Sequence, residues 1–411
     1  MTKITEKFVL LVGLDWATRK HDVCIQYPDG KRVNSIIEHN SEVIDNWLQA
    51  LHAAYPGQIA VAVELSKGPI VYALQKYDFV TIFPINPKML CRYRRTFALS
   101  GAKDDPTDAM FALELMLRYP DVVLPIEPAD EKVNKLKFYV EERRRLVDDK
   151  KRYCNRLNAT LKQYFPQILD WFSHRDTELF MDMIIRWPNL TILKRARPQT
   201  VSKFMSSHSS NMKSIAKRLE LIKEAKELTD NPTVVETNQL LAMTLARQVL
   251  PIIHAIREFD TLIENLFADM PDADLFRSFP GVGKCLAPRL LVALGQDRKR
   301  FSSAAEIQRY SGIAPVTERS GKSCWIHWRL QCSRFVRQSF VEWAGKSIKF
   351  SFWAEEYYLQ QRNKGNNHNS ALRSLAFKWI RILYRCWKDK VFYDESKYLK
   401  ALRERNSPLI V

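Results

Sequence analysis

Along the N-terminal third of the chain, apolar positions come as short unbroken runs divided by polar turns. Phe8-Val-Leu-Leu-Val-Gly-Leu-Asp15 stays apolar up to its last residue, the pattern of a strand covered on both faces. A carboxylate is too costly to bury unpaired, so Asp15 is expected at a strand edge facing a cation or a polar cleft. Asp22-Val-Cys-Ile-Gln-Tyr27 and Arg32-Val-Asn-Ser-Ile-Ile37 flank a turn at Pro28-Asp29-Gly30 and predict a hairpin. Ser41 is placed to cap a helix through Ala54, with Val43, Trp47, Leu48 and Leu51 along one face. Ile59-Ala-Val-Ala-Val-Glu64 repeats the first pattern, again closed by an acid. Gly68-Pro69 opens a short helix to Tyr77, and Phe79 to Ile85 reads as a further strand. Strands alternating with helices after an antiparallel start predict an α/β domain with a mixed sheet over residues 1–125.

Asn86-Pro87 begins a basic helix in which Arg92, Arg94 and Arg95 surround Tyr93. Such interleaving suits phosphate contact with stacking, and equally a solvated face. Pro106 fits the first turn of a helix running to Arg118, with Asp105 at its cap and Asp108 one turn in. Three apart on a helix, these acids share a face and can converge on one cation. Taken alone, ordinary capping and dipole compensation account for them.

From Glu127 to Phe165 the strands stop. Val133, Val140, Val147, Cys154 and Leu161 fall at one heptad position; Leu136, Arg143, Lys150, Leu157 and Tyr164 fall at the other. Two cations in the second seam predict a long helix that pairs imperfectly or lies near phosphate. Pro166 to Leu190 reads as a compact insertion and Ser206 to Ser210 as a polar loop. Pro232 to Met270 reads as a second long helix, bent at Pro251 and returning antiparallel as a coiled coil. This helical segment, 126–271, precedes a mainly helical one, 272–411. There, Phe279-Pro-Gly-Val-Gly-Lys284 before Leu286, Ala287, Leu290, Leu291 and Leu294 has helix-hairpin-helix spacing. Gly281, Gly283 and Lys284 would let N–H groups at a helix N-terminus approach a phosphate, although a tight turn between packed helices has the same spacing. Arg337, Arg373, Arg381 and Arg385 stand among Trp and Phe on two later helices, as a basic rim on a core.

Charge narrows the partner. In 411 residues, 64 Lys and Arg face 46 Asp and Glu, a net +18, which favours nucleic acid over a membrane surface. Seven dispersed cysteines without a Cys-x-x-Cys pair suit a reducing compartment and neither a disulfide framework nor a zinc site. The N-terminus mixes Lys and Glu and is not expected to act as a signal peptide, and no uninterrupted apolar span is expected to cross a bilayer. An intracellular protein is the expectation. Against this background Asp15, Glu64, Asp105 and Asp108 form a hard all-oxygen set of the kind that holds Mg²⁺ beside a phosphate. Paired metals of that type stabilise both oxygens of an in-line phosphodiester displacement.

The strand–carboxylate–hairpin opening is that of ribonuclease-H-like (RuvC-like) nucleases. Gly-Leu-Asp-Trp-Ala-Thr-Arg-Lys-His-Asp-Val, the strand ending in Glu64, and Lys-Asp-Asp-Pro-Thr-Asp-Ala together resemble the Asp-Glu-Asp-Asp signature of the insertion-sequence 110/1111 transposases. That family usually has Lys-Thr-Asp in the third block where this chain has Lys103-Asp104-Asp105, so Asp104 is the local competitor of Asp105. Arg300-Phe-Ser-Ser, Tyr310-Ser-Gly-Ile-Ala-Pro315 and Arg319-Ser-Gly-Lys322 resemble the family's C-terminal transposase domain. The resemblance implies a nucleophilic serine at Ser320, with Ser323 its neighbour and competitor; Arg319 and Lys322 flank it and could counter charge on a phosphorane-like state. It further implies a recombinase that joins DNA through a phosphoserine linkage with Mg²⁺ as cofactor. Its partners would be double-stranded donor and target DNA and a structured non-coding guide RNA, in a homodimer or homotetramer whose composite site unites acids and serine. Two other classes fit the residues: a Mg²⁺-dependent, RuvC-like junction-resolving nuclease needing only the acids, and a non-catalytic nucleic-acid scaffold.

Overall fold

The computed structural model describes residues 3–65, 67–97, 105–126, 130–208, 211–329 and 332–407. It divides into two compact units, Met1–Pro128 and Ala129–Val411.

In the first unit, α1 (Lys3–Lys7) leads into β1 (Leu10–Asp15), β2 (Lys20–Gln26) and β3 (Arg32–Glu38). There follow α2 (Ser41–Ala54), β4 (Ile59–Val63), α3 (Pro69–Leu74), β5 (Val80–Pro84), α4 (Pro87–Phe97) and α5 (Asp105–Arg118). The strands form one five-stranded sheet in the order β3-β2-β1-β4-β5. The first three run antiparallel, and β4 and β5 lie parallel to β1. This is the mixed sheet expected of a ribonuclease-H-like domain. Leu10, Val12, Leu14, Ile59, Val61 and Val63 turn to one face and bury Ile44 and Leu48 of α2 with Ile70 and Leu74 of α3. The alternate residues Leu11, Cys24, Ala60, Ala62 and Phe83 meet α4 and α5 on the other. Both faces are covered, which is why β1 and β4 read as continuous apolar runs. The cap of α2 differs from the sequence expectation. Asn40, one residue before Ser41, accepts from the N–H groups of Glu42 and Val43 at 2.8 and 3.3 Å, and Val43 faces solvent.

In the second unit two long helices, α6 (Glu131–Tyr164) and α12 (Pro232–Ala268), bracket five short ones. These are α7 (Gln167–Trp171), α8 (Glu178–Arg186), α9 (Leu190–Arg195), α10 (Pro198–Ser207) and α11 (Met212–Glu224). Ser206 and Ser207 therefore end a helix, and Ser209 and Ser210 of the expected loop lie outside the described residues. The long helices are antiparallel. Val133, Leu136 and Val140 share a core with Ile263 and Phe267, and Cys154, Leu157 and Leu161 share another with Ala242, Leu245 and Val249. Between these cores α6 buries no side chain from Val140 to Cys154. The two seam cations lie in that gap and are answered by protein carboxylates: Arg143 forks onto Asp260 at 2.9 and 3.2 Å, and Lys150 reaches Asp176 at 2.7 Å. By length and composition α12 could cross a membrane, contrary to expectation. Here its apolar stripe is buried in the protein.

The chain then runs through α13 (Ala273–Arg277), α14 (Gly283–Leu294), α15 (Ala304–Tyr310), the hairpin β6 (Val316–Ser320) and β7 (Ser323–His327), and α16 (Arg334–Ser347). It closes with α17 (Phe352–Asn363), α18 (His368–Asp389) and α19 (Glu395–Glu404). Four fully buried tryptophans anchor this region. Each indole N–H has a partner: Trp343 on the Pro280 carbonyl, Trp353 on the Tyr393 hydroxyl, Trp379 on Ser347 and Trp387 on the Gly295 carbonyl, all within 2.8–3.0 Å. Large rings can be buried here because no polar edge is left unsatisfied.

Candidate active site

Asp15 closes β1 and Glu64 directly follows β4, and these neighbouring parallel strands are in register, Leu14 opposite Val63. Strand alternation puts both acids on the face that carries Ala60 and Ala62, the face covered by α5. The helix can lie this close because of Gly13. A Cβ there would stand 2.0 Å from the Ala109 carbonyl oxygen and 2.8 Å from the Leu113 Cβ. Ala60 and Ala62 on the sheet and Ala109 and Ala112 on the helix add further small residues to this contact. Asp108 lies one turn before Phe111 and Ala112, which pack on the sheet, and so shares the buried side of α5, 2% exposed. Asp105 is described only as the first residue of α5, and Asp104 lies outside the described residues.

Arg94 of α4 answers Asp108. Its Nε and Nη2 donate to the two carboxylate oxygens, each at 2.5 Å, a bidentate fork of the strong, charge-assisted kind. Arg94 was a candidate for nucleic acid on the sequence pattern; here it is occupied by protein, while Arg92 and Arg95 face solvent. Among the described residues no three of His, Cys, Asp and Glu stand close enough to hold a metal ion.

Sequence reading missed one acid on this face. Asp22 lies directly opposite Asp15 in the β1–β2 ladder, on the side of Cys24, and is 5% exposed. Its carboxylate has no partner among the described residues. An acid heading a run otherwise patterned for burial was the available signal, and the hairpin register turns it into a neighbour of Asp15. Asp22, Asp15, Glu64 and Asp108 offer only hard oxygen donors, the kind a divalent ion takes. The chemistry of the set therefore fits a metal, provided Arg94 gives up Asp108.

The surroundings are braced. Tyr93 and Arg32 donate to Glu114 at 2.8 and 2.9 Å, tying α4 and β3 to α5. Burial would raise the Glu114 carboxyl, but these donors outweigh it and hold it low; burial and the bond to Glu114 push the Tyr93 phenol up to about 12. Behind the β1–β2 turn, the Ala17 N–H donates to His21 Nδ1 at 3.3 Å, and His21 Nε2 meets His39 Nδ1 at 3.0 Å. Burial and then the nearby His39 lower His21 from 6.5 to about 4. A neutral ring accepting at Nδ1 and donating at Nε2 fits both contacts.

Ser320 stands in a different setting. It ends β6 and pairs with Ser323 across Gly321-Lys322. Gly321 has φ +56°, the positive φ a two-residue hairpin turn asks of its first central residue. Ser320, Arg319, Lys322 and Ser323 are all exposed, and no side-chain hydrogen bond of Ser320 exists among the described residues. Gly281, by contrast, is closed off: a Cβ there would meet the Lys346–Ser347 backbone at 2.8 Å, so this glycine serves the packing of α16. Gly283 and Lys284 are exposed at the start of α14. Arg337 is half-buried on α16.

Comparison with known proteins gives these features a family. A DEDD transposase model matches residues 12–166, and a model described as transposase IS116/IS110/IS902 family matches residues 273–359. The mini-circle putative transposase for IS117 from Streptomyces coelicolor is 27% identical over 97% of this chain and 98% of its own length. A 43.6 kDa protein of insertion element IS110 from the same species is 26% identical over 95% and 96%. The putative transposase y4uE of Sinorhizobium fredii is 29% identical over 50% and 58%. Family models at both ends of the chain and relatives aligned nearly end to end establish that it belongs to the IS110 family of transposases, enzymes that act on DNA.

Proposed function

We propose that the chain cuts and rejoins DNA through a serine–phosphodiester adduct. Ser320 is the nucleophile, and Asp15, Glu64, Asp105 and Asp108 hold a divalent ion, Mg²⁺ by donor chemistry, with Asp22 beside them. The reading is supported above all by Gly13: any side chain there would hold α5, and with it Asp108, off the face to which Asp15 and Glu64 belong. Transposases of this type typically use a divalent metal; bound here, it would polarise a phosphate oxygen and ease loss of the hydroxyl proton. Ser320 Oγ bonds to phosphorus, its proton passing to a carboxylate or to water, and one bridging P–O bond breaks, its oxygen leaving with a proton. Arg319 and Lys322 offset the charge gathered on the phosphoryl oxygens. Attack on the phosphoserine by a hydroxyl of another strand restores a P–O bond and frees the serine.

Acids and serine belong to separate units of the chain, so the reaction is assigned to a homodimer or homotetramer assembled on donor and target DNA. A net charge of +18 supports large polyanionic partners, and the family resemblance adds a structured non-coding guide RNA, acting in the cytoplasm at the nucleoid. The test is recombination of donor and target plasmids in the presence of the element's flanking RNA. Ser320→Ala should give neither recombinant nor protein–DNA adduct. The exposure of Ser320 favours one rival, a metal-dependent nuclease that ignores it. Cleavage by Ser320→Ala at the wild-type rate would establish that rival.

A further inference from the structure

At the base of the Ser320 hairpin lies a cavity of about 430 Å³, within the size range of small-ligand sites. Its wall is basic and aromatic: Trp328, Arg329, Tyr357 and Arg373 stand among its lining residues. The Arg373 guanidinium lies over the Trp328 ring, and its Nε is buried without a hydrogen-bond partner. Burial and then the like charge of Arg337 lower Arg373 from 12.5 to about 10. Lys378, over the Tyr357 ring at 4.0 Å, is lowered by burial and by Arg381 and Lys364. Among the described residues no carboxylate pairs with Arg329, Arg337, Arg373 or Lys378. Elsewhere in this unit buried arginines do have acids, as Arg289 has Glu342 and Arg298 has Asp272. Cations pressed together and desolvated with no anion are unfavourable unless a ligand supplies one.

We infer that this cavity seats one unpaired nucleotide of a bound strand, its phosphate on Arg373 and Arg329 and its base stacked on Trp328 or Tyr357. Arginine forks suit phosphate oxygens and half-exposed rings suit any base. The cavity is lined by Pro315 and Ile326 at the foot of the hairpin, and Ser320 is five residues along β6. At about 3.3 Å per residue that is some 17 Å, a few nucleotides of extended strand. The inference rests on the family's action on nucleic acid and not on the chemistry of Ser320, so it is tested in EDTA, where no strand transfer contributes.

Short single-stranded DNA, RNA of the same sequence, and DNA with abasic residues serve as probes in fluorescence anisotropy on the full chain. Arg373→Gln should weaken all three about tenfold and flatten the salt dependence by about one phosphate. Trp328→Ala should weaken the base-bearing probes about tenfold and the abasic probe little. The exposed control Lys223→Gln should change nothing. A preference for DNA or for RNA identifies the strand. In the wild-type protein, a 5-iodouracil oligonucleotide irradiated and mapped by mass spectrometry should label Trp328 or Tyr357, a readout independent of any variant's folding. Wild-type affinity in Arg373→Gln, equal losses for base-bearing and abasic probes in Trp328→Ala, or labelling confined to other regions would each overturn the assignment.

Discussion

The acid-bearing face and the serine hairpin obey opposite rules. Asp15 ends a strand, Glu64 follows one and Asp108 is on a helix, all beside residues that are fully buried. Ser320 is on a two-stranded ribbon whose residues are nearly all exposed, an element with little stability of its own. The proposed cation site is not assembled here: Arg94 occupies Asp108, and among the described residues no three acids stand close enough to hold an ion. A hydroxyl whose target is a large bound polymer can be aligned by that polymer. The contrast is between a rigid scaffold that carries the acids and a loose ribbon that carries the serine.

Chemistry offers the largest tests of this contrast. Asp15→Asn and Ser320→Ala should each reduce strand transfer by on the order of 10³-fold or more. Only Asp15→Asn should also lower the stabilisation that Mg²⁺ gives in thermal unfolding. Equal metal response in both variants would erase the distinction. Arg94→Met leaves Asp108 buried and unanswered, and in EDTA it should lose about 3–5 kcal/mol in denaturant unfolding. Mg²⁺ should restore more to this variant than to wild type, because no guanidinium competes for the carboxylate.

Acid should act on the sheet unit through His21. Its folded pKa of about 4 lies below the unfolded 6.5, so the unfolded chain takes up a proton first. The stability is fully present above pH 6.5, declines as pH falls toward 4 and levels off below. The loss should be at most roughly 3 kcal/mol, and unfolding of His21→Asn should lack it. Two glycines test the comparison directly. Gly13→Ala should cost about 3 kcal/mol or more, because its Cβ would stand 2.0 Å from the Ala109 carbonyl oxygen, and it should abolish strand transfer by moving α5. Gly321→Ala meets nothing within 4 Å and has only a positive φ to resist, so about 1 kcal/mol, confined to the hairpin, is expected. A larger loss at Gly321 than at Gly13 would reverse the comparison between rigid face and loose ribbon.

Legibility in the sequence followed the same division. The strands ending in Asp15 and Glu64 were readable because parallel strands covered on both sides have no polar alternation to confuse them. The long helices were readable from their heptads, including the cations at Arg143 and Lys150, although Asp260 and Asp176, which answer them, are far along the chain. Tertiary partners were the part not readable. Nothing local to Arg94 distinguishes a guanidinium bound to Asp108 from one awaiting phosphate, and Asp22 gains its meaning only from hairpin register. No strand is predicted for the β6–β7 hairpin, because Val316 to His327 lacks a buried face to impose alternation.

The stretch of α6 between Val140 and Cys154, where no side chain is buried and Arg143 grips Asp260, divides the second unit thermally. Each end of the long helix pair owns a separate oily interior, and across the gap the α6 side carries ion pairs in place of buried side chains. Heating should therefore melt this unit in two calorimetric steps, and added salt should draw the steps apart by screening the bonds between them. A recombinase strung on such a rod can twist one end against the other without dissolving either.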